Sequence, residues 1–351
     1  MTHIVEVRSV DPRVKVPASP RGGALVKTVI VAVLVGLVSA DALFAAERGV
    51  TRRELGTPPG TQYSVPTAVN NKGVVVGTTH FLLPDDSQDF TAFVWSPRTG
   101  FELFLLGTRS VPTDINDRGQ IVGFFTSVTD SQDRGFMWSR TDGFTDLGDF
   151  LPRAINDHGV IAGDCESRYP CIGPAGAILR LPIVSDGEGV RGFASGINKR
   201  GEVVGGVFVP DEGYRAALWT RRGALVRLEG ASGDTVYARD INDRGEIVGQ
   251  VSNEFSPSFI VRWDRNGRLQ RVDPQEAFAL GIDTGGTIAA IYFNGVELRV
   301  ILVRDDGRVI DVGAGLPQDF NDKGQVVGVD LADVRALVWT VDPKFLRSSQ
   351  R

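Results

Sequence analysis

The chain has 351 residues, a formal net charge of −5, 42 Gly and two Cys. No strong run of one sign interrupts the charge, so a nucleic-acid partner or an acidic membrane surface has little support. The length, about 300 residues beyond an apolar leader, exceeds one compact core and by itself suggests two domains.

Residues 1–26 are polar, and Thr28 to Ala40 is an apolar run preceded by Arg21 and Lys27. Small residues follow through Ala46. This three-part layout predicts a secretory signal peptide over residues 1–46 with its apolar core at 28–40. Cleavage near Ala42 to Ala46 would leave an exported chain that is secreted, periplasmic or on the cell surface, with no membrane contact. A retained N-terminal anchor is the alternative, although the run is short for a span and Asp41 interrupts its extension.

Residues 47–342 repeat one motif seven times. It is clearest as Asp114-Ile115-Asn116-Asp117-Arg118-Gly119-Gln120-Ile121-Val122-Gly123 and again from Asp240 to Gly249. The anchors are Asn70, Asn116, Asn156, Asn198, Asn242 and Asn321, with Asp283 standing in once. Their spacings are 46, 40, 42, 44, 41 and 38 residues, which fits a unit of about four short strands. Asn-Asp-Arg-Gly predicts a hairpin turn between strands 1 and 2, with Gly in the left-handed position and the Asn side chain bracing the backbone. The later motif Gly (Gly77, Gly123, Gly163, Gly205, Gly249 and Gly328; Ala290 in copy six) marks a close backbone approach, expected from the next unit.

A third strand ends in Trp95, Trp138, Trp219, Trp263 or Trp339, with Ile172 and Val303 expected in that slot elsewhere. These residues read as packing between units. A turn and a fourth apolar strand follow. Four strands in each of seven units predict an all-β, seven-bladed propeller, which needs no single central core. Arg52 to Gly56 matches a unit's end, and the seventh unit lacks that part. The strand is therefore expected to pair beside Ala336–Trp339 and close the ring. Residues 343–351 read as a polar tail.

Cys165 and Cys171 lie close together after strand 2 of the third unit, and in an exported chain they predict a local disulfide. The chain has three His, His3, His80 and His158, and no nucleophile elbow of Gly-x-Ser-x-Gly form, so a Ser-His-Asp triad has no support. The acidic turns superficially match a calcium loop, but Arg118 sits among the would-be ligands; a braced turn is the favoured reading and calcium the alternative. Two residues before the anchors stand Asp114, Asp240 and Asp319, and one residue earlier Arg153 and Arg239. If strand 1 is innermost, these five could line a channel mouth that takes a polar ligand or sugar. Alternatively they pair with one another or stay solvated.

The pattern Ile-Asn-Asp-x-Gly-x-Val-Val-Gly, with a later Ala-Phe-x-Trp and a Leu-Gly, resembles the bacterial extracellular HAF repeat family. The triplet that gives the family its name appears as Thr91-Ala92-Phe93, Arg134-Gly135-Phe136 and Arg215-Ala216-Ala217, so its His is never kept. The resemblance spans nearly the whole exported chain. It implies an exported repeat protein, expected to be a propeller, and carries over no catalytic residue. The expectation is a non-enzymatic binding or scaffold module without a cofactor, taking a protein or a carbohydrate. One alternative is a glycan-active hydrolase or lyase at the channel mouth; another is a cell-surface structural or adhesion protein. Specificity is expected in the longest departures from the repeat: Leu82–Asp89, Asp130–Arg134, Cys165–Cys171 and Ser185–Arg191.

Overall fold

The computed structural model describes residues 49–346 apart from 83–87, 105, 107–108, 167, 184–188, 211, 229, 231–234, 254–255 and 273–275. The expected signal peptide therefore lies outside the described residues, as do residues 347–351. Among the described residues no helix is long and apolar enough to cross a membrane.

Seven four-stranded antiparallel sheets form a ring. Strand β1 (Val50–Gly56) precedes blade 1, which holds β2 (Tyr63–Val69), β3 (Val75–Leu82), β4 (Gln88–Ser96) and β5 (Gly100–Phe104). Blade 2 holds β6 (Arg109–Ile115), β7 (Ile121–Thr126), β8 (Asp133–Ser139) and β9 (Gly143–Gly148). Blade 3 holds β10 (Phe150–Ile155), β11 (Val160–Cys165), β12 (Tyr169–Pro174) and the two-residue β13 (Leu179–Arg180). Blade 4 holds β14 (Arg191–Ile197), β15 (Val203–Val209), β16 (Gly213–Trp219) and β17 (Leu225–Arg227). Blade 5 holds β18 (Thr235–Ile241), β19 (Ile247–Asn253), β20 (Ser256–Trp263) and β21 (Leu269–Val272). Blade 6 holds β22 (Ala277–Ile282), β23 (Ile288–Phe293), β24 (Leu298–Val303) and β25 (Val309–Ala314). Blade 7 holds β26 (Leu316–Phe320), β27 (Gln325–Asp330) and β28 (Arg335–Val341).

The first strand of each blade is innermost and touches the first strands of both neighbours, β2 against β26 closing the circle. Blade 7 takes its outer strand from the N-terminal side. β1 pairs antiparallel with β28, Arg52 opposite Trp339 and Glu54 opposite Leu337, as the sequence predicts. A four-residue helix, α1 (Pro343–Leu346), follows β28. Its Phe345 and Leu346 pack on the same core as Val50, so the first residues of the expected polar tail are in part docked.

Apolar burial is divided among seven clusters, one at each seam. The cluster between blades 4 and 5, for example, joins Val204 and Ala216 to Val236, Ile247, Val261 and Trp263. The cluster at the closing seam joins Val327 and Val338 of blade 7 to Val69, Phe93 and Trp95 of blade 1. Each Trp thus fills a wedge between sheets, where a large flat side chain gives much buried area for little entropy.

Two details differ from the sequence expectations. The strand glycines are not approached by the next blade. Every inner strand carries a bulge three residues before its anchor, at Thr67, Thr113, Arg153, Ser195, Arg239, Leu280 and Gln318. The bulge drives its own blade's backbone into the glycine. A Cβ on Gly77, Gly123 or Gly249 would collide with the carbonyl oxygen of Val65, Val111 or Tyr237 of the same blade. The second difference is the aromatic slot of blade 3. Ile121 faces Trp138 in blade 2, but the equivalent Ile161 faces Gly173 rather than Ile172. A side chain at Gly173 would strike the carbonyl of Ala177, because the chain folds tightly back there into β13.

Candidate functional site

Alternating strand direction sorts the connections onto two faces. The Asn turns and the turns between third and fourth strands emerge on one, the turn face. Connections from second to third strand, and from each blade to the next, emerge on the other. The strand ends that flank the four departures from the repeat, those of β3 and β4, β7 and β8, β11 and β12, and β13 and β14, open onto this second, variable face. Residues 83–87 and 184–188 of these departures lie outside the described residues.

The turn face is bound together by its anchors. Asn116 Oδ1 accepts the N–H groups of Arg118 and Gln120, both at 3.0 Å, while its carbonyl accepts Gly119 N–H at 3.0 Å. Gly119 has φ +78°, the left-handed position that the turn requires. The amide side of each Asn then leaves its own blade. Nδ2 of Asn70 donates to Asn116 O at 3.0 Å, Asn116 to Asn156 O at 2.9 Å, and Asn156 to Asn198 O at 3.0 Å. Asn198 donates to Asn242 O at 3.2 Å, Asn242 to Asp283 O at 2.9 Å, and Asn321 to Asn70 O at 2.8 Å. In Asn116, Asn198, Asn242 and Asn321 the other amide hydrogen goes to the side chain four residues on, as in Asn242 to Glu246 at 2.7 Å and Asn321 to Gln325 at 2.8 Å; Asn70 and Asn156 have Val74 and Val160 there instead. Asn can fill all four of its hydrogen-bonding positions this way, whereas Asp cannot donate when ionised.

One link of this ring is absent. Asp283 keeps the bracing role, accepting Thr287 N–H at 2.7 Å, but has no donor for Asn321 O. Burial, with the Asp322 carboxylate nearby, pushes the Asp283 carboxyl up to about 6.

A second set of links, at five of the seven seams, runs one residue on. Asn71 N–H donates to Asp117, Asp117 to Asp157, and Thr284 to Asp322, each at 2.8 Å. Lys199 and Asp322 donate likewise to Asp243 and Asn71 at 2.9 Å. Lys199 Nζ bridges Asp157 at 3.2 Å and Asp243 at 3.3 Å.

The candidate channel-mouth acids are engaged with backbone. Asp114 accepts Ile115 N–H and, from the next blade, Ile155 N–H, both at 2.7 Å. Asp240 does the same for Ile241 at 2.8 Å and Ile282 at 2.9 Å, and Asp319 accepts Val69 N–H at 2.8 Å. One Asp therefore serves two adjacent blades. This explains the alternation of Asp with Ala or Gly: side-chain atoms of Asp240 lie 2.9–3.0 Å from where a Cβ would stand on Gly196 or Gly281. Burial, reinforced by Asp114, raises the Asp240 carboxyl to about 6, while the two N–H groups and Arg239 pull it down.

Arg153 is paired with Asp164 of its own blade, Nε and Nη2 both 2.9 Å from Oδ2. Asp164 Oδ1 also accepts Ala194 N–H of blade 4 at 3.1 Å, and burial raises its carboxyl despite the arginine. Arg239 has no hydrogen-bond or ion-pair partner among the described residues. The five residues thus belong to the inner strands, but four of them are committed to protein groups.

The Cys165–Cys171 disulfide forms, on the variable face, joining the end of β11 to β12. His158 is exposed in its turn. Among the described residues, no three His, Cys, Asp or Glu side chains converge as metal ligands. A cleft of about 140 Å³ opens at the seam of blades 7 and 1, walled by Arg53, Trp95, Gln325 and Thr340. It lies toward the turn face, away from every departure from the repeat.

Sequence reasoning missed the aromatic–arginine stacks of the variable face. Arg109 lies between the rings of Phe90 and Phe124, at 5.1 and 5.6 Å. Arg191 stacks on Phe208 at 4.4 Å, and Arg180 on Tyr169 at 4.3 Å. None of these residues belongs to the repeat motif, and only strand register brings them together.

No family model matches the chain, and no curated protein matches it in sequence. Solved structures do match in fold. Virginiamycin B lyase from Staphylococcus aureus aligns at 12% identity and a TM-score of 0.56, over 83% of this chain and 99% of that one. The β-propeller domain of the Trilobed protease from Pyrococcus furiosus aligns at 14% identity and a TM-score of 0.59, over 80% of this chain and 94% of that one. An acylaminoacyl peptidase from Pyrococcus horikoshii aligns at 12% and 0.56, over 80% of this chain and 52% of that one. Identities this low establish the β-propeller and nothing about activity.

Proposed function

We propose that this protein is an exported, non-enzymatic binding or scaffold module of the HAF-like repeat kind, which engages a protein or carbohydrate partner through its variable face. The observation that carries this reading is the division of labour between residues. Those that recur (the Asn anchors and the inner-strand Asp) are spent on bonds between blades. Those that depart from the repeat gather on one face of a rigid ring, where recognition is usually placed. Export rests on the leader reading; N-terminal sequencing of the protein recovered outside the cytoplasm should begin near Ala42 to Ala46.

The test is a thermal-shift screen of the mature chain against glycans, peptides and divalent cations, with and without chelator. A ligand that binds the native state raises the midpoint by mass action. The expected hit is a glycan or peptide whose shift is lost when Asp130–Arg134 or Cys165–Cys171 is replaced by a short Gly-containing hairpin. A shift indifferent to those replacements but lost in Asp240→Asn would move the site to the channel and favour the glycan-active enzyme. A calcium shift reversed by chelator would favour the turn-ligand alternative.

A further inference from the structure

Arg109 opens β6 on the variable face, at the seam of blades 1 and 2. Its guanidinium is held between Phe90 of blade 1 and Phe124 of blade 2. Phe90 is in turn stacked by His80, 4.1 Å between ring centres, with Tyr63 edge-on to His80 at 6.0 Å. Among the described residues no carboxylate pairs with Arg109, and its Nε is buried without an acceptor. Three other arginines that stack on rings also spend donors, Arg168 on the Val190 carbonyl among them. Arg180 pairs with Glu166, and Arg191 reaches the hydroxyl of Tyr214. A buried donor left without an acceptor is costly, which calls for an explanation. The two rings fix the side chain, so a partner pays little to order it. The buried Nε faces away from a ligand, but the outer Nη1 and Nη2, for which no acceptor stands among the described residues, form a planar pair that matches the two oxygens of a carboxylate.

We propose that Arg109 anchors a carboxylate-binding subsite on the variable face, walled by Phe90 and Phe124. This rests on the reading of that face as the binding face. The chain's net charge of −5 disfavours a long polyanion, so the group recognised is a single carboxylate beside an uncharged body. A sugar acid and a glutamyl side chain offer the same chemistry.

The experiment follows the arginine Nε–H resonances of the full mature domain by NMR during titration with D-glucuronate and with N-acetyl-glutamate amide. D-glucose and N-acetyl-glutamine amide are the neutral controls. The Arg109 signal should shift saturably with at least one acid, at a midpoint of about 1–10 mM, and not with the controls. The tighter of the two acids identifies the source. Arg109→Lys should lose the response by tenfold or more. Phe124→Leu, which keeps the arginine, should weaken it severalfold and covers the case in which Arg109→Lys does not fold. An Arg109 signal that does not move with either acid, or moves equally with the controls, overturns the subsite. A ligand found in the screen that binds without moving this signal would overturn the subsite and leave the variable-face reading intact.

Discussion

The two faces of this propeller are built by opposite rules. On the turn face six of the seven blades place the same Asn at the same position, where its oxygen braces its own turn and its amide reaches the neighbouring blade. On the variable face the connections differ in length and sequence, one carries the disulfide, and stacked arginines replace repeated hydrogen bonds. The difference teaches that the motif most visible in the sequence is the structural one. Function has to be sought where the repeat lapses.

The closing strand sets the scale for breaking this arrangement. Deleting residues 49–56 removes the outer strand of blade 7 and bares the edge of β28 along its length. We expect loss of the cooperative transition, or the largest fall in midpoint of any variant, by calorimetry. Asn242→Ala should come next. It strands the N–H groups of Arg244 and Glu246 and removes the inter-blade donor of the Asp283 carbonyl, which keeps only Gly286 N–H, at a cost of about 2–4 kcal/mol by denaturant unfolding.

The opposite sign is expected at Asp283, where the ring lacks a donor. Its folded-state carboxyl, at about 6, lies above the ordinary 3.8. A raised acid contributes stability that is fully present below the unfolded value and lost as pH rises through about 6. Asp283→Asn supplies the missing amide and abolishes that loss. The variant should therefore gain on the wild type as pH climbs from about 4 to 6 and hold a plateau above, worth up to about 3 kcal/mol. Equal stability of the two proteins at pH 7.5 would contradict the ring as drawn.

On the variable face the effects should shrink. Cys165→Ser with Cys171→Ser opens a short loop and should cost less than about 3 kcal/mol, read from the urea midpoint. Inserting Gly-Ser after Asp130 should change stability by no more than about 0.5 kcal/mol.

Much of the fold was legible because its rules are local. The Asn turn, the blade period, the outer position of Arg52–Gly56 and the disulfide all follow from short-range pattern. Contacts across seams were less so. The Asn amides reaching the next carbonyl were foreshadowed by Asn holding six anchors out of seven, since Asp would brace the turn equally well. The glycine rule was misassigned because the strand-1 bulge leaves no mark of its own: Thr, Arg, Ser, Leu and Gln all occupy it. The Ile172 slot slipped by one because a pattern of alternating apolar residues has no absolute register without the pairing partner. Arg109 was invisible because Phe90 and Phe124 come from two blades.

Residue-resolved amide hydrogen exchange on the native chain tests the division between faces most directly. The turn amides of Gln120, Glu246 and Gln325 sit in short hairpin turns, where exchange is ordinarily fast. If the anchors bind the ring as described, these amides exchange only through near-global opening, while those of Gln132 and Ser131 on the variable face exchange orders of magnitude faster. Equal, rapid exchange on both faces would contradict it and leave the Asn ring a set of independent turns.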